Sequence, residues 1–364
     1  MTSFKIVPRI RNCESFDEFL SGYSVCGKDL ILTDRFLLDT YISKKNVPCK
    51  VIAQDDFGQG EPTSEKVEKI LEKLSGYEYD RVIAIGGGTA IDISKIVALT
   101  GINDLFELFC GKEKPQRGHG LIIIPTTCGT GSEVTNISIV AFESEGTKLG
   151  LADDVLYADD AVLVPEFLQN LPYSVFMYSS VDALIHAIES YLSPLSSVQS
   201  DFFAEESIGL ILSAYRYIEK NGKGSEKNVV KDVLTASNYA GIAFSNAGCG
   251  LIHAMSYPLS GEYHIPHGQA NFMMLPPVLR FYENRAPGGR FAALLSLFSK
   301  AGVSDIHALI STLIKTEPLS SYGASDDMLV SFSEQVEKTQ QRLLGRAYVL
   351  PDKSEMTDIY REIL

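Results

Sequence analysis

Asp182-Ala-Leu-Ile-His186 sets a carboxylate and an imidazole four residues apart. On a helix that spacing sends both side chains off one face, one turn apart, where they can reach a single ion. Two further histidines, His253 in Gly250-Leu-Ile-His and His267 in Ile265-Pro-His-Gly, stand fourteen positions apart in apolar surroundings. Taken singly, each reads as a hydrogen-bonded core histidine. Taken together with Asp182 and His186 they form a one-oxygen, three-nitrogen donor set suited to Fe(II) or Zn(II). An ion so held, with a position left for substrate, is a Lewis acid that lowers the pKa of a bound water from about 16 to about 7. An alcohol responds in the same sense, so the chemistry is activation of a hydroxyl and, given a hydride acceptor, oxidation of its carbon.

A site for that acceptor is written in glycine. Gly86-Gly-Gly-Thr-Ala-Ile-Asp92 follows the apolar run Arg81 to Ile85 and precedes the helical Ile93-Ser-Lys-Ile-Val-Ala-Leu. Unpaired N–H groups and the positive end of a helix dipole suit a pyrophosphate there, and Gly86, Gly87, Gly88, Thr89 and Asp92 are the candidates. The glycines are consecutive, so this is not the G-x-G-x-x-G fingerprint, and a tight turn needing positive φ has the same composition. Asp34 ends the run Leu30-Ile-Leu-Thr, where a carboxylate accepts from both hydroxyls of an adenosine ribose and repels a 2′-phosphate, which favours NAD over NADP. Thr126, Thr127, Thr130 and Ser132 supply hydroxyls just after a third apolar run, Leu121 to Pro125, for the diphosphate, ribose or nicotinamide; a polar loop bonding its own backbone has the same look.

The elements that must carry these residues leave their own pattern. Lys28–Asp34, Cys49–Ala53, Arg81–Ile85 and Leu121–Pro125 read as short strands, and Ser64 to Ser75 as a helix with Ser64 at its N-cap and Gly76 at its end. Continuous apolar strands interleaved with helices predict a parallel sheet buried on both faces. From about Pro172 onward amphipathic stretches replace β-branched ones, including Val181–Leu192, Phe203–Glu219 and Leu251–Leu259. Asp327 is placed to cap a helix carrying Leu329, Phe332, Val336 and Leu343. The expected division is an α/β nucleotide-binding domain over 1–170 and an all-α metal and substrate domain over 171–364.

Composition narrows the partners. A net charge of −14 and a pI near 4.9 repel phosphate backbones and argue against nucleic acid. The first residues lack the apolar core of a signal peptide and no run approaches a membrane span, so a cytoplasmic protein is expected. Six cysteines without a C-x-x-C pair read as reduced thiols.

Gly86-Gly-Gly, Pro125-Thr-Thr-Cys-Gly-Thr-Gly-Ser-Glu, Asp182-Ala-Leu-Ile-His-Ala and His253-Ala-Met-Ser-Tyr-Pro-Leu through His267-Gly, in that order, resemble the iron-dependent alcohol dehydrogenases. Gly58-Gln-Gly-Glu-Pro, Leu163-Val-Pro-Glu-Phe, Ser237-Asn-Tyr-Ala-Gly-Ile-Ala-Phe and Gln340-Gln-Arg-Leu-Leu bring the pattern nearest the branch that interconverts 4-hydroxybutyrate and succinate semialdehyde with NAD. The resemblance implies a dehydroquinate synthase-like architecture, a homo-oligomer, iron in preference to zinc at Asp182, His186, His253 and His267, Asp34 on the adenosine ribose and Lys148 near the nicotinamide ribose. Many members of the family carry a histidine where this chain has Tyr257, which leaves Tyr257 and His264 as the candidates for proton relay. For a substrate carboxylate, Arg280, Arg285 and Arg290 follow the last ligand closely in sequence. An uncharged alcohol or diol, and a dehydroquinate-synthase-like lyase, are the competing expectations.

Overall fold

The computed structural model describes residues 3–364. The chain folds as two compact units: one comprises Ile6–Thr127 and Ser132–Gln169, the other Asn170–Leu364 with Cys128–Gly131 and residues 3–5.

The first unit is built on a six-stranded parallel sheet: β1 (Arg9–Asn12), β2 (Asp29–Thr33), β3 (Lys50–Ala53), β4 (Arg81–Gly86), β5 (Gly120–Pro125) and β6 (Asp160–Leu163), in the order β1-β6-β5-β4-β2-β3. The central strands are apolar throughout because both faces are covered: Leu30 to Leu32 and Val82 to Ile85 have no exposed surface. Register sets the functional end. Thr33 pairs with Ala53 and Ile85, and Gly86 with Pro125, so β2, β4 and β5 finish level with one another.

Two helices of this unit matter for the site: α1 (Ser64–Leu74) and α2 (Gly88–Val97). The N-cap of α1 is Thr63, one residue earlier than expected: its hydroxyl accepts from the Lys66 N–H, and Ser64 is the first helical residue. Apolar periodicity finds a helix's face but not its cap to the residue. β1 has no counterpart among the expected strands. Its Arg-Ile-Arg-Asn is exposed and held by charge, Arg9 and Arg11 both donating to the buried Asp160 of β6 at 2.7–3.1 Å. An antiparallel hairpin, Ile137–Phe142 with Thr147–Ala152, lies outside the main sheet.

The second unit is helical: α3 (Tyr173–Leu192), α4 (Val198–Asn221), α5 (Val230–Ala247), α6 (Leu251–Tyr263), α7 (His267–Arg285), α8 (Gly289–Lys300), α9 (Ile306–Leu313), α10 (Asp326–Thr339), α11 (Gln341–Leu344) and α12 (Lys353–Arg361). α3 is buried on nearly all sides from Phe176 onward and packs against α4, α5 and α7. Ser325, not Asp327, occupies the N-cap of α10, and Leu343 falls on the separate α11 because the chain leaves the helix at Gln340. The residue nonetheless turns inward, as its apolar character requires. Among the described residues no helix is long and apolar enough to cross a membrane, and all six cysteines are free thiols.

Candidate metal centre and nucleotide site

α3 carries Asp182 and His186 on one face, and one turn farther Glu189. α6 contributes His253 and α7 begins at His267. Close packing brings them together: Gly268 lies against the Tyr178 carbonyl, where a Cβ would collide, so α7 starts hard against α3.

The donors meet around one carboxylate. His253 Nε2 stands 3.4 Å and His267 Nε2 3.6 Å from Asp182 Oδ1, and His186 Nδ1 is 3.9 Å from Oδ2. Ligands about 2.1 Å from a shared tetrahedral ion stand about 3.4 Å apart, which is the separation of the first pair. His253 Nε2, in a side chain only 3% exposed, makes no hydrogen bond. An unpartnered ring nitrogen aimed at a buried carboxylate is what a metal would satisfy.

Nδ1 of His253 and Nδ1 of His186 are spoken for. Glu189 Oε2 takes the His253 Nδ1 proton at 2.6 Å and the Gly250 N–H at 2.9 Å, while Oε1 takes the Ile252 N–H at 2.5 Å. His186 Nδ1 donates to the Gly129 carbonyl at 3.3 Å. Each bond leaves Nε2 as the lone-pair nitrogen and fixes the ring. Asn271, one turn beyond His267, donates through Nδ2 to Asp182 Oδ1 at 2.7 Å and lies 3.1 Å from His267 Nε2. Neither Glu189 nor Asn271 is among the residues that sequence reasoning selects. The signal for Glu189 is its place three residues after His186, an acid on the same face of an otherwise apolar helix; Asn271 stands four after His267 in the same way.

Burial works to raise the Asp182 carboxyl, but His186, His267 and His253 outweigh it and hold the group well below the usual carboxylate range. Burial lowers His186 to about 4. His253 is raised to about 9: desolvation opposes this, but the nearby carboxylates of Asp182 and Glu189 prevail. A protein that keeps two carboxylates against one imidazole holds a positive charge at that spot, a proton in one state and a cation in the other. Cys249 adds a buried sulfur within 4.8 Å of the ligand atoms of His186 and His253, and burial pushes its thiol well up, so it stays protonated at neutral pH.

Tyr257 stacks on His267 with ring centroids 5.8 Å apart, and burial raises its phenol, so it keeps its proton at neutral pH. His264 is not brought to the cluster. It is exposed at the C-cap of α6 in a left-handed conformation, φ 54°.

In the first unit the level ends of β2, β4 and β5 place Asp34, Gly86 to Gly88, and Thr126 and Thr127 side by side. None of the three glycines has positive φ. Close approach requires the first of them instead: a Cβ on Gly86 would stand 2.5 Å from Ala90 Cβ and 2.9 Å from Asp34 Oδ2, whereas one on Gly87 would only touch the Thr127 methyl at 3.4 Å. Asp34 is held by Gln54 Nε2 at 2.9 Å, itself held by the buried Lys66 at 2.8 Å, a relay the sequence does not announce. Burial raises the Asp34 carboxyl against the pull of Gln54.

Thr89 sits in the first turn of α2. Asp92 is turned elsewhere: Oδ2 accepts from the Ile139 N–H at 3.0 Å, so its carboxylate braces the hairpin. Lys148, exposed on the hairpin, pairs with Glu61 at 2.5 Å. Thr130 falls in the segment that joins the helical unit, and Ser132 in the sheet unit. That segment has a second duty, since Gly129 supplies the carbonyl that orients His186 and Gly131, at φ 58°, lies against Gly241 of α5. Arg280, Arg285 and Arg290 are all engaged, with Glu362, with Glu355, and with Asp201 and the Tyr191 carbonyl.

Comparison with known proteins places similarity along the whole chain. Residues 7–165 match "Iron-containing alcohol dehydrogenase" and 176–364 match "Fe-containing alcohol dehydrogenase family, C-terminal". The chain is 38% identical to 4-hydroxybutyrate dehydrogenase of Clostridium kluyveri, with 100% of each chain covered. It is 33% identical to long-chain-alcohol dehydrogenase 1 of Geobacillus thermodenitrificans, over 82% of this chain and 79% of that one. The fold is that of sulfoacetaldehyde reductase from Bifidobacterium kashiwanohense in complex with NAD+, with a TM-score of 0.88 at 20% identity, covering 100% of this chain and 98% of that one. With four donors on three helices and family matches on both halves, the chain belongs to the iron-containing alcohol dehydrogenase family.

Proposed function

We propose that the protein catalyses the reversible NAD-linked oxidation of 4-hydroxybutyrate to succinate semialdehyde, in the cytosol and as a homo-oligomer. The observation that carries this reading is the 38% identity to the Clostridium kluyveri enzyme without an uncovered segment in either chain.

In this reading Gly86 to Gly88, Thr89 and the N-terminus of α2 receive the pyrophosphate, because N–H groups of a first helical turn are unpaired and the glycines leave the backbone accessible. Asp34 takes the adenosine ribose hydroxyls and disfavours a 2′-phosphate. Thr126, Thr127, Thr130 and Ser132 serve the diphosphate, the second ribose or the nicotinamide, and Lys148 the nicotinamide ribose. Asp92 acts through the backbone it braces.

Asp182, His186, His253 and His267 hold the ion, iron by family and zinc by the same donor chemistry. When bound, the ion supplies a Lewis acid toward the substrate hydroxyl, and the nicotinamide supplies the hydride acceptor. The residues around them position rather than react: Glu189, Gly129 and Asn271 fix the rings and the carboxylate. Tyr257, protonated at neutral pH and stacked on His267, is able to donate a hydrogen bond there, and His264, exposed at the end of α6, is the other candidate for proton relay.

An anaerobic assay of NADH consumption with succinate semialdehyde against uncharged aldehydes, with and without added Fe(II) or Zn(II), tests the assignment. Selective, metal-dependent turnover of succinate semialdehyde is expected. Equal rates on uncharged aldehydes would favour a dehydrogenase of short or long alcohols, the activity named for the Geobacillus relative. No NADH consumption on any carbonyl would remove the dehydrogenase reading altogether.

A further inference from the structure

With Arg280, Arg285 and Arg290 each paired to an acid, the cation that meets a substrate carboxylate must be sought elsewhere. Arg342 on α11 and Arg346 just beyond it are four positions apart, and neither side chain has a hydrogen bond or ion pair among the described residues. That is unusual in a chain with 46 acidic residues against 32 basic ones, where most other arginines are matched.

Their placement points to the metal centre. α11 packs against α6, the helix of His253 and Tyr257. The Arg346 guanidinium lies directly over Gly248, which has no side chain to obstruct it and a φ of 84°. Gly248 leads into Cys249, whose sulfur stands beside His186 and His253, and into Gly250, whose N–H binds Glu189. A Cβ on Gly250 would be 3.2 Å from the Arg346 carbonyl and 3.3 Å from Glu189 Oε1, so the arginine loop and the ligand-holding carboxylate flank the same glycine. Arg342 is within electrostatic reach of Tyr257, the ring stacked on His267. Burial, then repulsion from Arg342, lowers the Arg346 guanidinium. Two like charges near each other, one of them half-buried and neither neutralised, are relieved by an anion that bridges them.

We infer that Arg342 and Arg346 bind the carboxylate of a short ω-hydroxy acid and of its semialdehyde, fixing the end of the chain remote from the reacting carbon. The inference rests on the proposed substrate reading. Planar guanidinium forks suit a carboxylate bidentately, and such charged hydrogen bonds separate a carboxylate-bearing aldehyde from its uncharged counterpart.

The test compares succinate semialdehyde with butanal in the full-length, Fe(II)-loaded enzyme, in wild type, Arg342→Gln, Arg346→Gln and Arg342→Lys, with butyrate as a dead-end inhibitor. Each Gln variant should raise KM for succinate semialdehyde by about 10–100-fold with kcat little changed, the loss of one charged hydrogen-bonding group. The preference over butanal should shrink by the same factor, butyrate should inhibit less, and Arg342→Lys should restore part of both. Because Arg342 is exposed, its Gln variant decides the matter if Arg346→Gln does not fold. A parallel loss on both aldehydes, or an unaltered preference and butyrate inhibition, overturns the arginine assignment alone. A wild type without preference for succinate semialdehyde overturns the substrate reading, and this inference with it.

Discussion

The candidate metal centre and the candidate nucleotide site are made in opposite ways. The metal centre is an assembly of side chains: four donors from three helices, with Asp182, His186 and His253 each aimed by a further side chain or a single carbonyl. The nucleotide end of the sheet is an assembly of backbone. Its geometry comes from strand register and from glycines that keep Asp34, α2 and Thr127 close. The first is therefore intolerant of changes in residue identity, and the second of changes in volume.

The contrast can be broken most severely at His267. His267→Ala should abolish turnover and lower the iron bound after anaerobic reconstitution, measured by elemental analysis, while NAD affinity by fluorescence titration stays close to wild type. Retained turnover would take His267 out of the site. A smaller effect with the reverse pattern is expected from Gly86→Ala. Its methyl meets Ala90 and Asp34 at 2.9 Å or less, which overpacking makes worth about 1–3 kcal/mol in stability. NAD binding should weaken while metal content is unchanged. Equal loss of both ligands would show that the two sites are not independently built.

The smallest effect concerns Asp92 and its buried neighbour Lys95, which donates to Thr135 Oγ1 at 3.0 Å and the Ile137 carbonyl at 2.7 Å. Burial, opposed by Lys95, raises Asp92 to about 6, and burial lowers Lys95 to about 8. Between about pH 4 and 6 the folded chain binds the Asp92 proton more tightly than the unfolded chain, so this group's contribution to stability falls as pH rises. Above pH 8 the unfolded chain holds the Lys95 proton more tightly, so stability rises toward pH 10. Asp92→Asn should flatten the first slope, by on the order of 1 kcal/mol in urea unfolding. It should not flatten the second, because Lys95 loses the carboxylate that favours its charge. A wild-type profile in the variant would place the acidic titration elsewhere.

How much of this is legible follows from what each residue leaves in the sequence. Strands buried on both faces announce themselves as unbroken apolar runs, and β2, β4 and β5 are all found that way. The Arg9-Ile-Arg-Asn edge strand leaves no such run, because cross-strand pairing with Asp160 holds it. Asp182 and His186 are visible as a helical pair, whereas Glu189 and Asn271 act only on other side chains and carry no spacing rule of their own. Arg280, Arg285 and Arg290 are suggested by nearness to His267 along the chain. Tertiary packing instead gives them acids and brings Arg342, far beyond His267 in sequence, beside the helix of His253. Glycines 86 to 88 stand out in the sequence, but none has the positive φ of a tight turn, and it is close approach to Ala90 and Asp34 that requires Gly86.

The bond from His253 to Glu189 joins residues 64 positions apart, and that from Asn271 to Asp182 spans 89. Closing loops of that length has an entropic cost that only the packing of the intervening helices, α4 and α5 among them, can offset. The ligand cluster thus depends on the packing of the whole helical unit. A chain emerging during synthesis carries Asp182 and His186 well before α6 and α7 exist, so the full donor set is present only once α7 has been made.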